Sequence, residues 1–399
     1  MKLASHRSCT GCMACLDSCG HSAIKLIKDN ELFYPIVEKD KCVKCKLCEN
    51  SCPVVSPIHK NIIQDTSVYG GWSIDKDIRS EGASGGVFIG LAKSFLRLHK
   101  ENASVYGARL LNNRVHHDRV TQEDNLRLFI NSKYIQSETQ GVYKKIRKDL
   151  NDGLFVLFSG TPCQVAGLYG FLGKKRDDDH LLTIELICAG VLSPEALDIH
   201  LKSNNSSEIV SFRSKVNGGN YGRSQCTTIY KNGQIVRFNN RKEDVFYRCF
   251  SSSLLERTSC FSCKFSSLNR VGDITIGDFW GGENLFKDFD KGVNVILTNN
   301  HKAMTFVTTS KDVEISKCTL GDAIRVNSNL YTNYSFIQFH PLALWPKLCR
   351  RIIPRKTWLH IVKNDNPWRL VWGVYRLIGK FYNRFFYIYI KIKYSQLLN

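Results

Sequence analysis

The chain reads Cys9-Thr10-Gly11-Cys12-Met13-Ala14-Cys15 near its start, and Cys19 follows after three more residues. The same C-x2-C-x2-C-x3-C spacing returns at Cys42, Cys45, Cys48 and Cys52. Three thiolates at this spacing wrap one face of a cubane cluster, and a distant fourth thiolate closes it. Two complete copies therefore predict two [4Fe-4S] clusters in a short module that folds around its metal.

The spacing resembles that of bacterial ferredoxins, in which the fourth cysteine of each copy ligates the cluster of the other copy. We therefore predict two crossed ligand sets, Cys9, Cys12, Cys15 with Cys52, and Cys42, Cys45, Cys48 with Cys19. The alternatives are a zinc module and a disulfide framework. Zinc sites usually pair two C-x-x-C knuckles, which fits three consecutive cysteines poorly. A disulfide framework needs a secretory signal, and residues 1–10 contain no apolar stretch of that kind.

The composition indicates a globular protein of several domains. The chain has 399 residues, of which 43% are hydrophobic and 11% aromatic, enough for a sizeable core. Sixteen cysteines without a signal peptide indicate a reducing compartment, so we expect a cytoplasmic protein. The chain contains no run of eighteen apolar residues, so we predict no transmembrane helix. The net charge of +20 favours acidic partners.

The middle of the chain alternates strand-like and helix-like segments, which predicts an α/β sheet. We predict strands at 105–111, 154–158, 181–188 and 293–298, and helices at 87–99, 140–150, 164–171 and from about Pro194. Asn-Gly pairs at 217–218 and 232–233 predict a hairpin elaboration. Ligands collect at the carboxyl ends of such strands, where Cys163 and Cys188 fall.

A glycine-rich turn, Ser84-Gly85-Gly86, precedes the helix predicted at 87–99. Free backbone N–H groups at such a turn can cradle a phosphate. The alternative is a glycine-containing helix entry with Ser84 as its N-cap.

Four cysteines outside the dicluster module lie in settings that suit metal ligation. Cys163 is placed at a helix N-terminus, where the dipole is expected to lower its pKa. Cys188 follows a neighbouring strand, and Cys260 and Cys263 form a C-x-x-C pair. Buried free cysteines, a zinc knuckle and a redox dithiol remain alternatives.

Several ordered motifs resemble the beta subunit family of coenzyme F420-reducing hydrogenase and dehydrogenase. The motifs are Ser84-Gly85-Gly86, Ser132-Lys133-Tyr134, Thr161-Pro162-Cys163-Gln164, Cys188, Cys260-x-x-Cys263 and Gly272 to Trp280. The resemblance covers about residues 68–320. It implies a flavin-binding α/β domain with a mixed sheet, in which FAD lies beside a third [4Fe-4S] cluster. Many relatives carry His where this chain has Ala189, so any role of that His is absent here.

Residue by residue, the resemblance implies that the third cluster is ligated by Cys163, Cys188, Cys260 and Cys263. It implies a flavin loop with Ser84, Gly85 and Gly86, near Ser132, Lys133 and Tyr134. No catalytic residue is assigned. The expected domains are a ferredoxin-type module over 1–60, α/β regions over 66–150 and 151–325, and a basic aromatic tail over 341–399.

The predicted function is that of an oxidoreductase that relays electrons between a hydride-carrying coenzyme, F420 or another, and a ferredoxin-like acidic carrier or a partner redox subunit. The first alternative is an electron-transfer subunit of a larger complex without a substrate of its own. Relatives near surface-polysaccharide genes imply a second alternative, a redox enzyme of surface-polysaccharide synthesis. No nucleic-acid partner is expected for the body of the protein.

The tail is a separate problem, because twelve Lys and Arg residues stand against Asp365 alone from residue 342 to 399. Aromatic residues interleave with these charges, a pattern that suits peripheral contact with the inner face of an anionic membrane. The alternative is that the aromatic side chains pack on the body and the charges are solvated.

Overall fold

The computed structural model describes residues 2–29, 32–213, 226–238, 244–251, 255–325 and 327–331. The predicted tail at 341–399 and the predicted turn at Asn217-Gly218 lie outside these residues. Both therefore stay predictions.

The elements follow one another along the chain with short connections. The strands are β1 (Ile24–Asp29), β2 (Leu32–Val37), β3 (Ser67–Ser73), β4 (Ala103–Leu111), β5 (Arg114–Val120), β6 (Phe155–Gly160), β7 (Leu181–Leu186), β8 (Ser206–Ser211), β9 (Cys226–Tyr230), β10 (Ile235–Phe238), β11 (Ile274–Asp278), β12 (Asn294–Thr298) and β13 (Val313–Cys318). The helices are α1 (Ala14–Asp17), α2 (Leu47–Asn50), α3 (Lys76–Glu81), α4 (Val87–His99), α5 (Val142–Asn151), α6 (Pro162–Leu172), α7 (Glu195–Ser203), α8 (Val245–Ser251), α9 (His301–Thr309) and α10 (Leu320–Ile324).

A mixed sheet of eight strands, in the order β13-β3-β12-β11-β7-β6-β4-β5, forms the body. The neighbours β4, β6, β7 and β11 pair in parallel, and the outer strands pair antiparallel. The expected mixed α/β sheet is confirmed. The sheet takes strands from both predicted regions, 66–150 and 151–325, because β3 pairs with β12.

The central strands are buried on both faces, as their apolar sequences predict. Helices α4 and α9 pack on one face with β4, β11 and β12. Helices α5 and α6 pack on the other face with β6, and Cys12 and Ala14 of the N-terminal module join this second core. The module is therefore fastened to the α5 and α6 face.

Two glycines of α6 allow the module to approach closely. A Cβ at Gly167 would lie 2.9 Å from the Cys12 sulfur, and a Cβ at Gly170 would lie 2.4 Å from the Ser51 carbonyl oxygen. On α5, the Asp17 carboxylate accepts hydrogen bonds from the first free N–H groups, at 2.7 Å from Gly141 and 3.1 Å from Tyr143. An acidic side chain is stabilised at a helix N-terminus by these donors and by the dipole.

The strands β8, β9 and β10 form a smaller antiparallel sheet beside α7. A turn at Asn232-Gly233 joins β9 to β10, which confirms the second predicted Asn-Gly hairpin. Within the part of the chain that the structure describes, no helix combines the length and apolar character needed to cross a bilayer.

Candidate functional site

The first crossed cysteine set surrounds a small cavity in the N-terminal module. The cavity has a volume of about 20 Å³, and its walls include Cys9, Cys12, Cys15 and Cys52. Its other lining residues are mainly apolar, among them Leu3, Leu26 and Val54. Four thiols around one apolar space are the donor set of a cubane cluster, so these residues fit the predicted group.

The second crossed set surrounds another cavity, of about 10 Å³. Its walls include Cys19, Cys42, Cys45 and Cys48. In each cavity wall, three cysteines of one motif therefore stand beside the fourth cysteine of the other motif. The two sets differ in exposure: Cys45 is exposed, whereas the four thiols of the first set are buried.

The remaining candidate ligands come from three segments that meet at the carboxyl edge of the sheet. Cys163 lies in the first turn of α6, and Cys188 follows the end of β7. Cys260 and Cys263 lie in and just after the short 3₁₀ turn Thr258–Ser262. The thiol of Cys188 interacts electrostatically with those of Cys163 and Cys263, and the thiol of Cys260 with those of Cys188 and Cys263. The four thiols thus form one group.

Burial raises the pKa of all four thiols, because a thiolate loses its hydration there. For Cys163 the pKa rises to about 11, and the Cys263 thiol adds to the increase. Burial outweighs the lowering of this pKa that is predicted at the helix N-terminus, although a backbone hydrogen bond at Cys163 still acts to lower it. Four partly buried thiols suit a cationic metal group, which binds them as thiolates.

Among the described residues, no three or more His, Cys, Asp or Glu side chains close around a single metal ion. A [4Fe-4S] cluster binds each thiolate to a different iron, so its ligands stand further apart than those of one ion.

A cavity of about 510 Å³ lies beside this thiol group, at the carboxyl ends of β6 and β7. Its volume falls within the usual range for small-molecule sites. The walls include Ser84 and Gly86, the segment Ser132 to Tyr134, and Cys163 with Cys188. Motifs that stand far apart in the sequence therefore line one cavity.

The glycine-rich turn contributes to the cavity unevenly. Ser84 lines it, but its hydroxyl donates to the Val293 carbonyl oxygen at 2.9 Å and does not cap α4. The reading of Ser84 as an N-cap is wrong, because Gly86 occupies that position. Gly85 is outside the lining, and a Cβ there would lie 2.7 Å from the Gly71 carbonyl oxygen. Gly85 therefore serves the packing of the turn against β3.

The Ser132 to Tyr134 segment lines the opposite part of the cavity. The Lys133 ammonium donates to the carbonyl oxygens of Phe129, Ile130 and Asn131 at 2.9, 2.7 and 3.0 Å. All three of its hydrogens are thus used to hold its own loop. Burial lowers the pKa of Lys133 to about 7, since no carboxylate compensates the charge.

Two further polar groups of the cavity wall carried no signal in the sequence. His117 of β5 hydrogen-bonds through Nε2 to the Ser159 carbonyl oxygen at 2.8 Å and through Nδ1 to the Ser137 hydroxyl at 2.8 Å. The carbonyl can only accept, so Nε2 carries the hydrogen. Burial lowers the pKa of His117 to about 4, and the ring is neutral near pH 7.

Arg213 is the second of these groups. It forms a 2.6 Å ion pair with Asp278 at the end of β11, and its guanidinium lies 5.5 Å from the Trp280 ring. Asp278 and Trp280 belong to the Gly272 to Trp280 motif. The motif therefore pointed to their segment, but nothing in the sequence pointed to Arg213 as the ion-pair partner of Asp278.

Arg257 joins the thiol group to the N-terminal module. It is completely buried, and it donates to Gln136 Oε1 at 2.9 Å, to the Phe33 carbonyl oxygen at 2.8 Å and to the Cys9 carbonyl oxygen at 3.3 Å. Its guanidinium also lies 4.4 Å from the Tyr34 ring. The only hint in the sequence is a charged residue three positions before Cys260.

Two sequence families match the chain. Residues 8–55 match the 4Fe-4S dicluster domain, and residues 155–319 match the C terminus of the beta subunit of coenzyme F420 hydrogenase/dehydrogenase. A solved structure with a similar fold is the F420-reducing [NiFe] hydrogenase complex from Methanosarcina barkeri. It is 14% identical with a TM-score of 0.48, and the match covers 70% of this chain and 92% of that chain. Comparison with curated proteins gives no match.

The fold and the cysteine sets together define an iron–sulfur protein of electron transfer. Within that class, residues 155–319 are similar to the C terminus of the beta subunit of coenzyme F420 hydrogenase/dehydrogenase, and residues 8–55 are similar to the 4Fe-4S dicluster domain.

Proposed function

We propose that the chain is a flavo-iron–sulfur oxidoreductase with three [4Fe-4S] clusters and one FAD. The observation that carries the proposal is the 510 Å³ cavity, which borders both the predicted flavin motifs and the Cys163 and Cys188 thiols. A bound flavin would supply hydride exchange with a coenzyme such as F420 and single-electron exchange with a cluster.

The residues of the chain suit this site to an uncharged ring system. Lys133 holds its loop in place with all three of its hydrogens. His117, neutral and hydrogen-bonded on both nitrogens, keeps its orientation without adding charge. Apolar groups such as Val87, Phe129 and Ile276 line other parts of the cavity, and they exclude water from a bound ring.

The first crossed cysteine set lies close to the thiol group formed by Cys163, Cys188, Cys260 and Cys263. Cys12 contacts Gly167, one turn of α6 from Cys163, and four residues of helix span about 6 Å. The Cys12 thiol also interacts electrostatically with that of Cys163. This proximity supports a relay from the cavity through the first set to the second set, whose Cys45 is exposed.

Anaerobic purification with iron, sulfide and flavin quantitation tests the proposal. About twelve irons and one flavin per chain are expected from three cubane clusters and one cofactor. A chain that contains iron without flavin would support the alternative, an electron-transfer subunit of a larger complex.

Two variants assign the groups to their sites. Cys263→Ala is expected to lose about four irons and to keep the dicluster iron. Ser132→Trp fills part of the cavity and is expected to lose flavin but not iron, whereas Ser80→Trp on the exposed face of α3 is the matched control. Full flavin content in Ser132→Trp would remove the cavity from the proposal.

A further inference from the structure

The two cysteine loops of the N-terminal module follow the same backbone path. Gly11 and Lys44 occupy equivalent positions and are both left-handed, with φ of 70° and 59°. Met13 and Lys46 are also equivalent and left-handed, with φ of 60° and 63°. Helices α1 and α2 begin directly after them. The two loops are therefore two copies of one structural unit.

The surroundings of the two copies are opposite. The first loop is buried against the body: Met13 is 5% exposed, and Gln136 donates to the Gly11 carbonyl oxygen at 2.9 Å. A Cβ at Gly11 would lie 2.0 Å from Gln136 Nε2, so the body excludes any side chain there. The second loop, residues 43–47, is exposed throughout, with Val43 at 57% and Leu47 at 53%.

The second loop carries Lys44 and Lys46 where the first loop has Gly11 and Met13, which pack against the body. Lys44 and Lys46 adopt a left-handed backbone that costs about 1 kcal/mol or more for a side chain with a Cβ. Glycine would avoid this strain, as it does at Gly11. The lysines thus add positive charge and exposed methylene surface beside Val43 and Leu47.

A groove of about 700 Å³ continues the second loop towards the body. It runs from Leu47 to Lys144 and Lys148 of α5, both exposed. The acidic residues of the groove are engaged: Asp17 accepts from the N-terminus of α5, and Asp152 pairs with Lys148. The loop and the groove therefore combine the exposed apolar residues Val43 and Leu47 with exposed lysines, of which Lys148 is paired with Asp152.

We propose that the second loop and this groove form the docking surface for an acidic one-electron carrier protein of the ferredoxin type. The inference rests on the proposed function, since only a redox chain needs such a carrier. Three observations favour it. The surface carries exposed lysines, and Cys45 of the second crossed set is exposed. The equivalent first loop already serves as a packing surface, against the body on the other side of the module. Complementary charge also speeds and orients such encounters.

The test uses the full-length protein, purified anaerobically with its clusters. An acidic bacterial 2[4Fe-4S] ferredoxin is titrated by calorimetry at low and high salt. Lys44→Glu with Lys46→Glu is expected to weaken binding about tenfold or more at low salt, and high salt is expected to weaken wild-type binding. Lys287→Glu with Lys311→Glu makes the same charge change on exposed lysines outside the groove and is expected to bind like the wild type.

The proposal is overturned if the wild type does not bind the ferredoxin at low salt, if the loop variant binds as well as the wild type, or if both lysine pairs weaken binding equally. If the loop variant loses iron, Lys144→Glu with Lys148→Glu on α5 replaces it, with the same expected and overturning results. Iron and flavin contents of the same preparations test the proposed function separately, because a chain without flavin can still bind the carrier at this surface.

Discussion

At the scale of single residues, Arg257 links the first crossed cysteine set to the thiol group through one side chain. Its guanidinium is buried between the Cys9 carbonyl oxygen and the segment that leads to Cys260. Burial raises the pKa of the Cys9 thiol, and the Arg257 charge opposes that increase. The same charge also opposes the raised pKa of Cys163. Arg257 is therefore a positioning residue that stabilises negative charge at both sites.

Arg257→Met is expected to lower the reduction potential of the cluster nearest to it, because a reduced cluster carries more negative charge and the variant lacks the compensating cation. Potentiometric titration followed by electron paramagnetic resonance measures this shift. Arg257→Lys keeps the charge and is expected to restore most of the potential. A potential unchanged in Arg257→Met would contradict the electrostatic role and leave only a packing role.

His117 makes a second prediction at this scale. Its pKa is about 4 in the folded protein and 6.5 for the ordinary side chain. Below pH 6.5 the unfolded chain binds the proton that the folded chain refuses, so stability decreases as the pH falls from 6.5 to 4. The full penalty is about 3 kcal/mol.

His117→Gln is expected to reduce this acid sensitivity, because the amide makes similar hydrogen bonds without a titration. Thermal unfolding of wild type and variant at pH 7.5 and pH 5 measures the difference between them. His59→Gln, at an exposed histidine, is the control. An equal loss of stability on acidification in all three proteins would refute the burial of a neutral His117.

At the scale of secondary-structure elements, α6 does two things at once. Its first turn carries Cys163, and its next turns carry Gly167 and Gly170, which face the N-terminal module. Helix α6 therefore carries a candidate cluster ligand and also forms the surface against which the module packs.

Gly170→Val is expected to weaken the docking of the module, because a side chain there collides with the Ser51 carbonyl. Overpacking of this kind costs about 1–3 kcal/mol, which raises the undocked population by roughly 5- to 150-fold. Proteolysis in residues 54–66, which connect the module to β3, is expected to become faster by that factor. Gly20→Val is the matched control, because a Cβ at Gly20 meets no atom within 4 Å, and equal cleavage of both variants would count against the docking role of α6.

At the scale of the whole molecule, the cavity, the thiol group and the two crossed cysteine sets form a continuous series. The cavity borders Cys163 and Cys188, the Cys163 and Cys12 thiols interact, and the second metal set reaches the surface at Cys45. The body contributes one end of the series and the module the other, and Arg257, Asp17 and α6 hold the two together.

The sequence determined by itself the parts of this protein that depend on local spacing. Cysteine spacing predicts the two crossed sets, because in the ferredoxin pattern three ligands follow at short, set intervals and the fourth comes from the other copy. Alternation of apolar strands and amphipathic helices predicted most of the parallel core, including β6, α6 and β7. The sequence analysis did not predict β13 or β3, and the Gly70-Gly71 pair inside β3 is unfavourable for a strand.

Which distant segments meet depends on the tertiary packing of the chain. It brought Cys163, Cys188 and the Cys260 pair together, excluded Gly85 from the cavity wall, and placed His117 and Arg213 in that wall. It also showed that burial outweighs the helix dipole at Cys163 and that the body covers one cysteine loop but leaves the other exposed. Burial and contacts between distant residues depend on how the sheet and the module pack, and no local pattern in a single sequence specifies that packing.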